Sequence, residues 1–275
     1  MTTITTQTTT SADGTTIAYD VTGTGPALVL VDGAMCYRDF GPSKDLAAAL
    51  ADRFTVYRYD RRGRGESNIA KPAAAGTMEA VEQEVADLGA VIEAAGGHAH
   101  LLGLSSGAFL ALEGARAGLP IDKIVAYEAP LILDDTHRPN DADLAQQVEK
   151  LVEKGKRAAA VELFMRTVGM PLVAVKIMRL TPAFKKLTPV AHTLAYDLGM
   201  CVPFQQGVPL PGGYFKNVSV PVLSMAGSKS PAYMTNAQQA IAKAVPGARY
   251  VVLDGQNHMV EAKALAPVAT EFLTA

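Results

Sequence analysis

Short apolar runs alternate with helical stretches along most of this chain, and that alternation limits what it can fold into. "ALVLVDG" (27–33) is a continuous apolar run closed by a turn pair, the pattern of a strand buried on both faces. "FTVYRYD" (54–60), "HAHLLGL" (98–104), "DKIVAYEAP" (122–130), "VPVLSMAG" (220–227) and "ARYVVLDG" (248–255) read the same way. "TTIAYDV" (15–21) follows a "DG" turn and alternates β-formers. Helical stretches separate them: "KDLAAALAD" (44–52), residues 78–92, "SGAFLALEGARAG" (106–118), "YMTNAQQAIAKAV" (233–245) and a closing helix near 261–273. In the second of these, Met78, Val81, Val85, Leu88 and Ile92 recur at three- and four-residue steps, which predicts one buried face. Strands alternating with helices predict an α/β fold: a mostly parallel central sheet with helices on both faces.

The rhythm breaks over 134–215, where helical stretches and a proline-punctuated, methionine-bearing region contain no obvious buried strand. The expected organisation is a core of 1–133 and 216–275, interrupted by a helical insertion at 134–215. The insertion should sit at the C-terminal edge of the sheet, where open α/β sheets place their ligands.

Charge and composition exclude several classes of function. The formal net charge is −2, and the basic "RRGR" at 61–64 is too short to draw the chain to nucleic acid or an anionic membrane. No apolar run reaches the ~18 residues of a membrane helix. The opening "MTTITTQTTT" has neither the basic nor the apolar region of a signal peptide and is expected to be a frayed polar tail. Two cysteines, Cys36 and Cys201, are too few for a disulfide framework and fit a reducing, cytoplasmic location.

The chemistry is concentrated in "LLGLSSGAF" (101–109), where G-x-S-x-G places Ser105 between a predicted strand and a predicted helix. Gly103 and Gly107 lack Cβ atoms, so the strand and helix can approach closely around a sharp turn. The turn presents the Ser105 hydroxyl at a helix N-terminus, where the positive end of the dipole favours a developing anion. A serine needs a base within hydrogen-bond reach. Of five histidines, His98 and His100 begin a strand at the end opposite the turn, and His137 and His192 lie in the insertion. His258, in "LDGQNHM", follows the last predicted strand and converges on Ser105 by topology. An acid must orient the imidazole and offset its charge. Glu128, in "VAYEAP", is the first choice and Asp254, four residues before His258, a weaker alternative; Asp134 and Asp135, at the start of the insertion, can be read as simple caps of its first helix.

These stretches, together with "LVLVDGAM", "VYRYDRRGRGES" and "PVLSMAGSKSP", resemble an α/β-hydrolase-fold protein over nearly the whole chain. The resemblance implies the order nucleophile, acid, histidine, which Ser105, Glu128 and His258 reproduce. It implies an oxyanion hole formed by the backbone N–H groups of Ser106 and Ala34, and it makes 134–215 a lid over the substrate. Asp32, Gly33, Cys36 and Met259 are expected to border that substrate. Two departures stand out. Asp32-Gly33 replaces the His-Gly common in the family, and Ser230 occupies the usual position of the acid; Glu128 sits where some members carry theirs, after the preceding strand.

The expected activity is cofactor-independent, carboxylesterase-like hydrolysis of a carboxylic ester, lactone or thioester of a small to medium organic molecule. Carbon–carbon bond hydrolysis and a non-hydrolytic role, as a ligand receptor or in natural-product assembly, are the alternatives. Met165, Met170, Met178, Met200, Phe164, Phe184 and Phe204 form either an apolar cover for the substrate or the packing of the insertion itself. Lys176, Arg179, Lys185 and Lys186 either favour an anionic substrate or form a solvated face.

Overall fold

The computed structural model describes residues 6–74 and 76–275. Its strands are β1 (Gln7–Thr10), β2 (Thr16–Thr22), β3 (Ala27–Val31), β4 (Thr55–Tyr59), β5 (Ala99–Leu104), β6 (Ile121–Tyr127), β7 (Val222–Gly227) and β8 (Arg249–Leu253). They form one sheet in the order β1-β2-β4-β3-β5-β6-β7-β8. Strands β4, β3, β5, β6, β7 and β8 run parallel, while β1 and β2 add an antiparallel edge.

Side chains along the central strands alternate between two apolar layers, as the period-2 pleat requires. Val29, Val31, Leu101, Ile124 and Ala126 face α2 (Met78–Ala94), α3 (Ser106–Arg116) and α9 (Ala232–Ala244). Leu28, Leu30, Leu102, Val125 and Tyr127 face α1 (Ser43–Leu50) and α10 (Ala262–Thr274). Because both faces are covered, these strands read as near-continuous hydrophobic runs.

Between β6 and β7 the described chain is helical: α4 (Leu144–Glu153), α5 (Arg157–Thr167), α6 (Leu172–Met178), α7 (Pro182–Leu187) and α8 (Leu194–Cys201). Their apolar faces form a third cluster, which includes Met35 from the loop after β3. Phe164, Met165, Met178 and Phe184 belong to this cluster, whereas Met200 and Phe204 pack into the core of the sheet. Most of these residues therefore pack the insertion. Lys176, Arg179, Lys185 and Lys186 lie on its exposed surface, Arg179 paired with Glu162.

Two expectations need correction. The polar N-terminus does not simply fray: its first five residues lie outside the described ones, but Gln7–Thr10 pairs with β2 as an edge strand. Threonine suits that position, being β-branched and tolerant of water on an exposed edge. The buried face of α2 is also rotated from the expected one. Met78 is 60% exposed, while Glu84 and Asp87 turn inward beside Val81, Leu88, Val91 and Ile92. Buried arginines of the "RRGR" loop draw them in: Glu84 binds Arg61 and Asp87 binds Arg62.

Candidate active site

The parallel register aligns the C-terminal ends of β3, β5, β6 and β7. Val31 pairs with Gly103, Leu104 with Tyr127, and Tyr127 with Met225. The next residues of each strand therefore emerge side by side, and Ser105, Glu128 and the loop after β3 are immediate neighbours.

Ser105 has φ 56° and ψ −127°, a conformation that L-residues rarely adopt. The flanking glycines make the turn feasible. A Cβ on Gly107 would lie 2.1 Å from the Val31 carbonyl oxygen, and one on Gly103 would lie 2.5 Å from the Gly107 carbonyl oxygen. The described chain has three non-glycine residues with positive φ, namely Ser105, Met35 (60°) and Glu128 (51°), all at these strand ends. Strain of about 1–3 kcal/mol per residue persists only where the surrounding structure enforces it, and it is concentrated here.

His258 Nε2 lies 3.1 Å from Ser105 Oγ, and its Nδ1 lies 2.8 Å from Glu128 Oε2. The imidazole is 40% exposed, whereas Glu128 is fully buried. The other oxygen of Glu128 accepts hydrogen bonds from the Gly227 N–H at 2.7 Å and the Ser230 hydroxyl at 2.5 Å. Tyr127 donates its hydroxyl to the Asn257 carbonyl at 2.7 Å, which ties the loop bearing His258 to the end of β6.

Asp254 accepts from Ser228, and Asp134 binds Thr136 and Asn236, so the acid beside His258 is Glu128. Among the other histidines, His98 pairs with Asp122 and His100 meets Phe54 edge-on. His137 packs on Tyr233, and His192 contacts the Pro189 carbonyl.

The Ala34 and Ser106 N–H groups donate to no acceptor among the described residues. Gly33 packs directly on Ser105, since a Cβ there would lie 2.9 Å from the Ser105 Cβ. Asp32 is buried, and burial pushes its carboxyl up to about 6 against the opposing pull of Ser43, Arg64, Arg58 and Arg61. Neither Asp32 Oδ1 nor Ser43 Oγ closes a full hydrogen bond, although Ser43 lies close enough to favour the charged form. Burial, reinforced by Asp32, pushes the Cys36 thiol up to about 12. Met259 is 81% exposed beside His258.

A group that sequence reading missed lies directly behind these residues. Asp197 of α8, 2% exposed, accepts from Arg61 Nη1, Arg64 Nη2 and the Ser106 hydroxyl, each at 2.7 Å. The available signal was a single acid within the otherwise uncharged "LAYDLGM". Residues 61–67 form a turn that buries Arg61, Arg62 and Arg64 almost completely. No helix among the described residues is long and apolar enough to cross a membrane.

A model of the alpha/beta hydrolase family matches residues 28–271. The structure of an alpha/beta hydrolase from Sphaerobacter thermophilus DSM 20745 is 41% identical, covers 97% of this chain and 100% of its own, and superposes with a TM-score of 0.87. A thermophilic esterase from Thermogutta terrifontis, 22% identical over 98% of this chain and 96% of its own, shares the fold with a TM-score of 0.66. An uncharacterized hydrolase, YraK, from Bacillus subtilis (strain 168) is 30% identical over 154 residues. That match spans 56% of this chain and only about half, 55%, of the relative's length.

Proposed function

The chain belongs to the alpha/beta hydrolase family, and we propose that it hydrolyses a carboxylic ester, lactone or thioester of a small organic substrate through an acyl-enzyme on Ser105. The observation that carries this reading is the position of His258, between Ser105 Oγ at 3.1 Å and the buried Glu128 at 2.8 Å.

As Ser105 Oγ attacks the carbonyl carbon, its proton passes to His258 Nε2 and an electron pair moves onto the carbonyl oxygen. Glu128 keeps the ring in the tautomer protonated at Nδ1 and offsets the charge of the imidazolium. The Ala34 and Ser106 N–H groups receive the oxyanion, and one such donor is worth ~3–4 kcal/mol of transition-state stabilisation. When the electron pair returns, the bond to the leaving oxygen or sulfur breaks and that atom takes the proton from His258. Water, deprotonated by the same imidazole, then attacks the acyl carbon. The acid departs and Ser105 regains its proton. In this reading the insertion acts as a lid. Gly33 and Met259 flank the reacting groups, whereas Asp32 and Cys36 support the loop between them.

A fluorophosphonate probe tests the proposal. Stoichiometric labelling of Ser105, lost in His258→Ala, together with turnover of p-nitrophenyl esters, is expected. A folded protein whose Ser105 does not react would overturn it, and turnover of a β-diketone without turnover of esters would redirect it to carbon–carbon cleavage.

A further inference from the structure

The loop that bears Ala34 is held from behind by charged side chains. Arg64 Nη1 donates to the Gly33 carbonyl at 2.7 Å and the Cys36 carbonyl at 3.1 Å, and Arg61 Nη1 donates to the Asp32 carbonyl at 3.2 Å. The Gly33 C=O and the Ala34 N–H belong to one planar trans peptide, so they point in opposite directions. Fixing the carbonyl on Arg64 therefore aims the N–H of Ala34 away from the guanidinium. It also polarises that N–H, which raises its strength as a donor.

Arg64 and Arg61 are in turn fixed by one carboxylate. Asp197 takes Arg64 on Oδ2 and Arg61 on Oδ1, and Oδ1 also accepts the hydroxyl of Ser106, whose own N–H is the other donor. Glu84 completes the cage by accepting two N–H groups of Arg61. The two arginines and two carboxylates balance in charge, so the cage can stay buried. Burial acts to raise the Asp197 carboxyl, but Arg61, Arg64 and the Ser106 hydroxyl outweigh it and hold it below the usual carboxylate range.

We infer that Asp197, supplied by the insertion, is a positioning residue for both oxyanion donors, acting through Arg64 on the Gly33–Ala34 peptide and through the Ser106 hydroxyl on the start of α3. The inference rests on the acyl-transfer reading above.

Asp197→Asn keeps the shape of the side chain but removes the charge that holds both guanidiniums. Arg64→Lys keeps the positive charge but has no second N–H arm for the Gly33 carbonyl. Ser106→Ala leaves every charge in place. Each variant is titrated with a fluorophosphonate, so that kcat for p-nitrophenyl acetate is expressed per reactive Ser105 and unfolded molecules drop out. The expected result is a kcat lower by roughly 10- to 100-fold in the first two variants and about fivefold in Ser106→Ala, with KM within threefold. An arylboronic acid, which forms a tetrahedral adduct on Ser105, should lose affinity in parallel. A purely structural role would lower the titratable fraction and leave kcat per site and boronate affinity unchanged. That outcome, with kcat within twofold of wild type in every titratable variant, overturns the inference. Failure of the wild type itself to label or turn over would instead overturn the acyl-transfer reading.

Discussion

Ser230 donates its hydroxyl to Glu128 Oε1 at 2.5 Å, so the residue at the family's usual acid position braces a carboxylate that another strand supplies. Ser230 and His258 bind opposite oxygens of Glu128, so in the proposed mechanism an acid at the end of either β7 or β6 could serve the same imidazole.

This arrangement predicts how activity depends on charge at two positions. Glu128→Gln preserves the shape of the acid and should lower kcat by about 10³–10⁴-fold. Adding Ser230→Asp to Glu128→Ala should recover at least about tenfold over the single variant, since the new carboxylate starts close to Glu128's place. Steady-state kinetics on an aryl ester check both. A Glu128→Gln enzyme within tenfold of wild type would remove Glu128 from the mechanism.

Gly107 tests the close approach at the turn. A methyl group there would sit 2.1 Å from the Val31 carbonyl, so Gly107→Ala should destabilise the fold by about 3 kcal/mol or more. A methyl group on Gly212 would meet no atom within 4 Å, and Gly212→Ala should stay within about 0.5 kcal/mol of wild type. Urea denaturation of the two variants measures the contrast, and equal midpoints would refute it.

Asp32 predicts a pH-dependent gain. With a native pKa of about 6 against 3.8 unfolded, the native carboxyl holds a proton that the unfolded chain has released between those values. Its contribution to stability therefore falls as pH rises from about 4 to 6 and is constant above. Asp32→Asn removes that penalty. It should be more stable than wild type by up to about 3 kcal/mol at pH 7.5, with the gap closing towards pH 4. Denaturation at several pH values tests this; a gap that is constant with pH would count against a buried, costly carboxylate.

Cys36 should be inert. Its thiol, pushed up to about 12, provides almost no thiolate at pH 8. Iodoacetamide is expected to spare the native protein and to modify it only in denaturant, with Cys36→Ser retaining activity. Rapid alkylation of native protein with loss of turnover would contradict this.

The alternation of strands and helices was legible in the sequence because both faces of the sheet's centre are covered, which leaves the central strands nearly continuous in apolar residues. The convergence of Ser105 and His258 was legible for a topological reason: parallel strands put their following loops on one edge. Polar burial was harder to read. Glu84 and Asp87 look like solvent-facing residues of α2 until the buried partners Arg61 and Arg62 are known, and those partners come from a loop. β1 escaped because a two-residue-period signal disappears when every residue is polar. Asp197 is distant in sequence from Arg61, Arg64 and Ser106, which hydrogen-bond to it, and no local pattern ties it to them.

The placement of Asp197 bears on how such enzymes could be recombined. Transplanting the helical segment of a relative would look like a way to change substrate preference without touching the chemistry. Here the transplant would carry away the anchor of the loop after β3, leaving two inward-facing cations without their shared counter-ion. A chimaera built on this scaffold would therefore need an acid restored at position 197 before its selectivity could be compared with that of the parent.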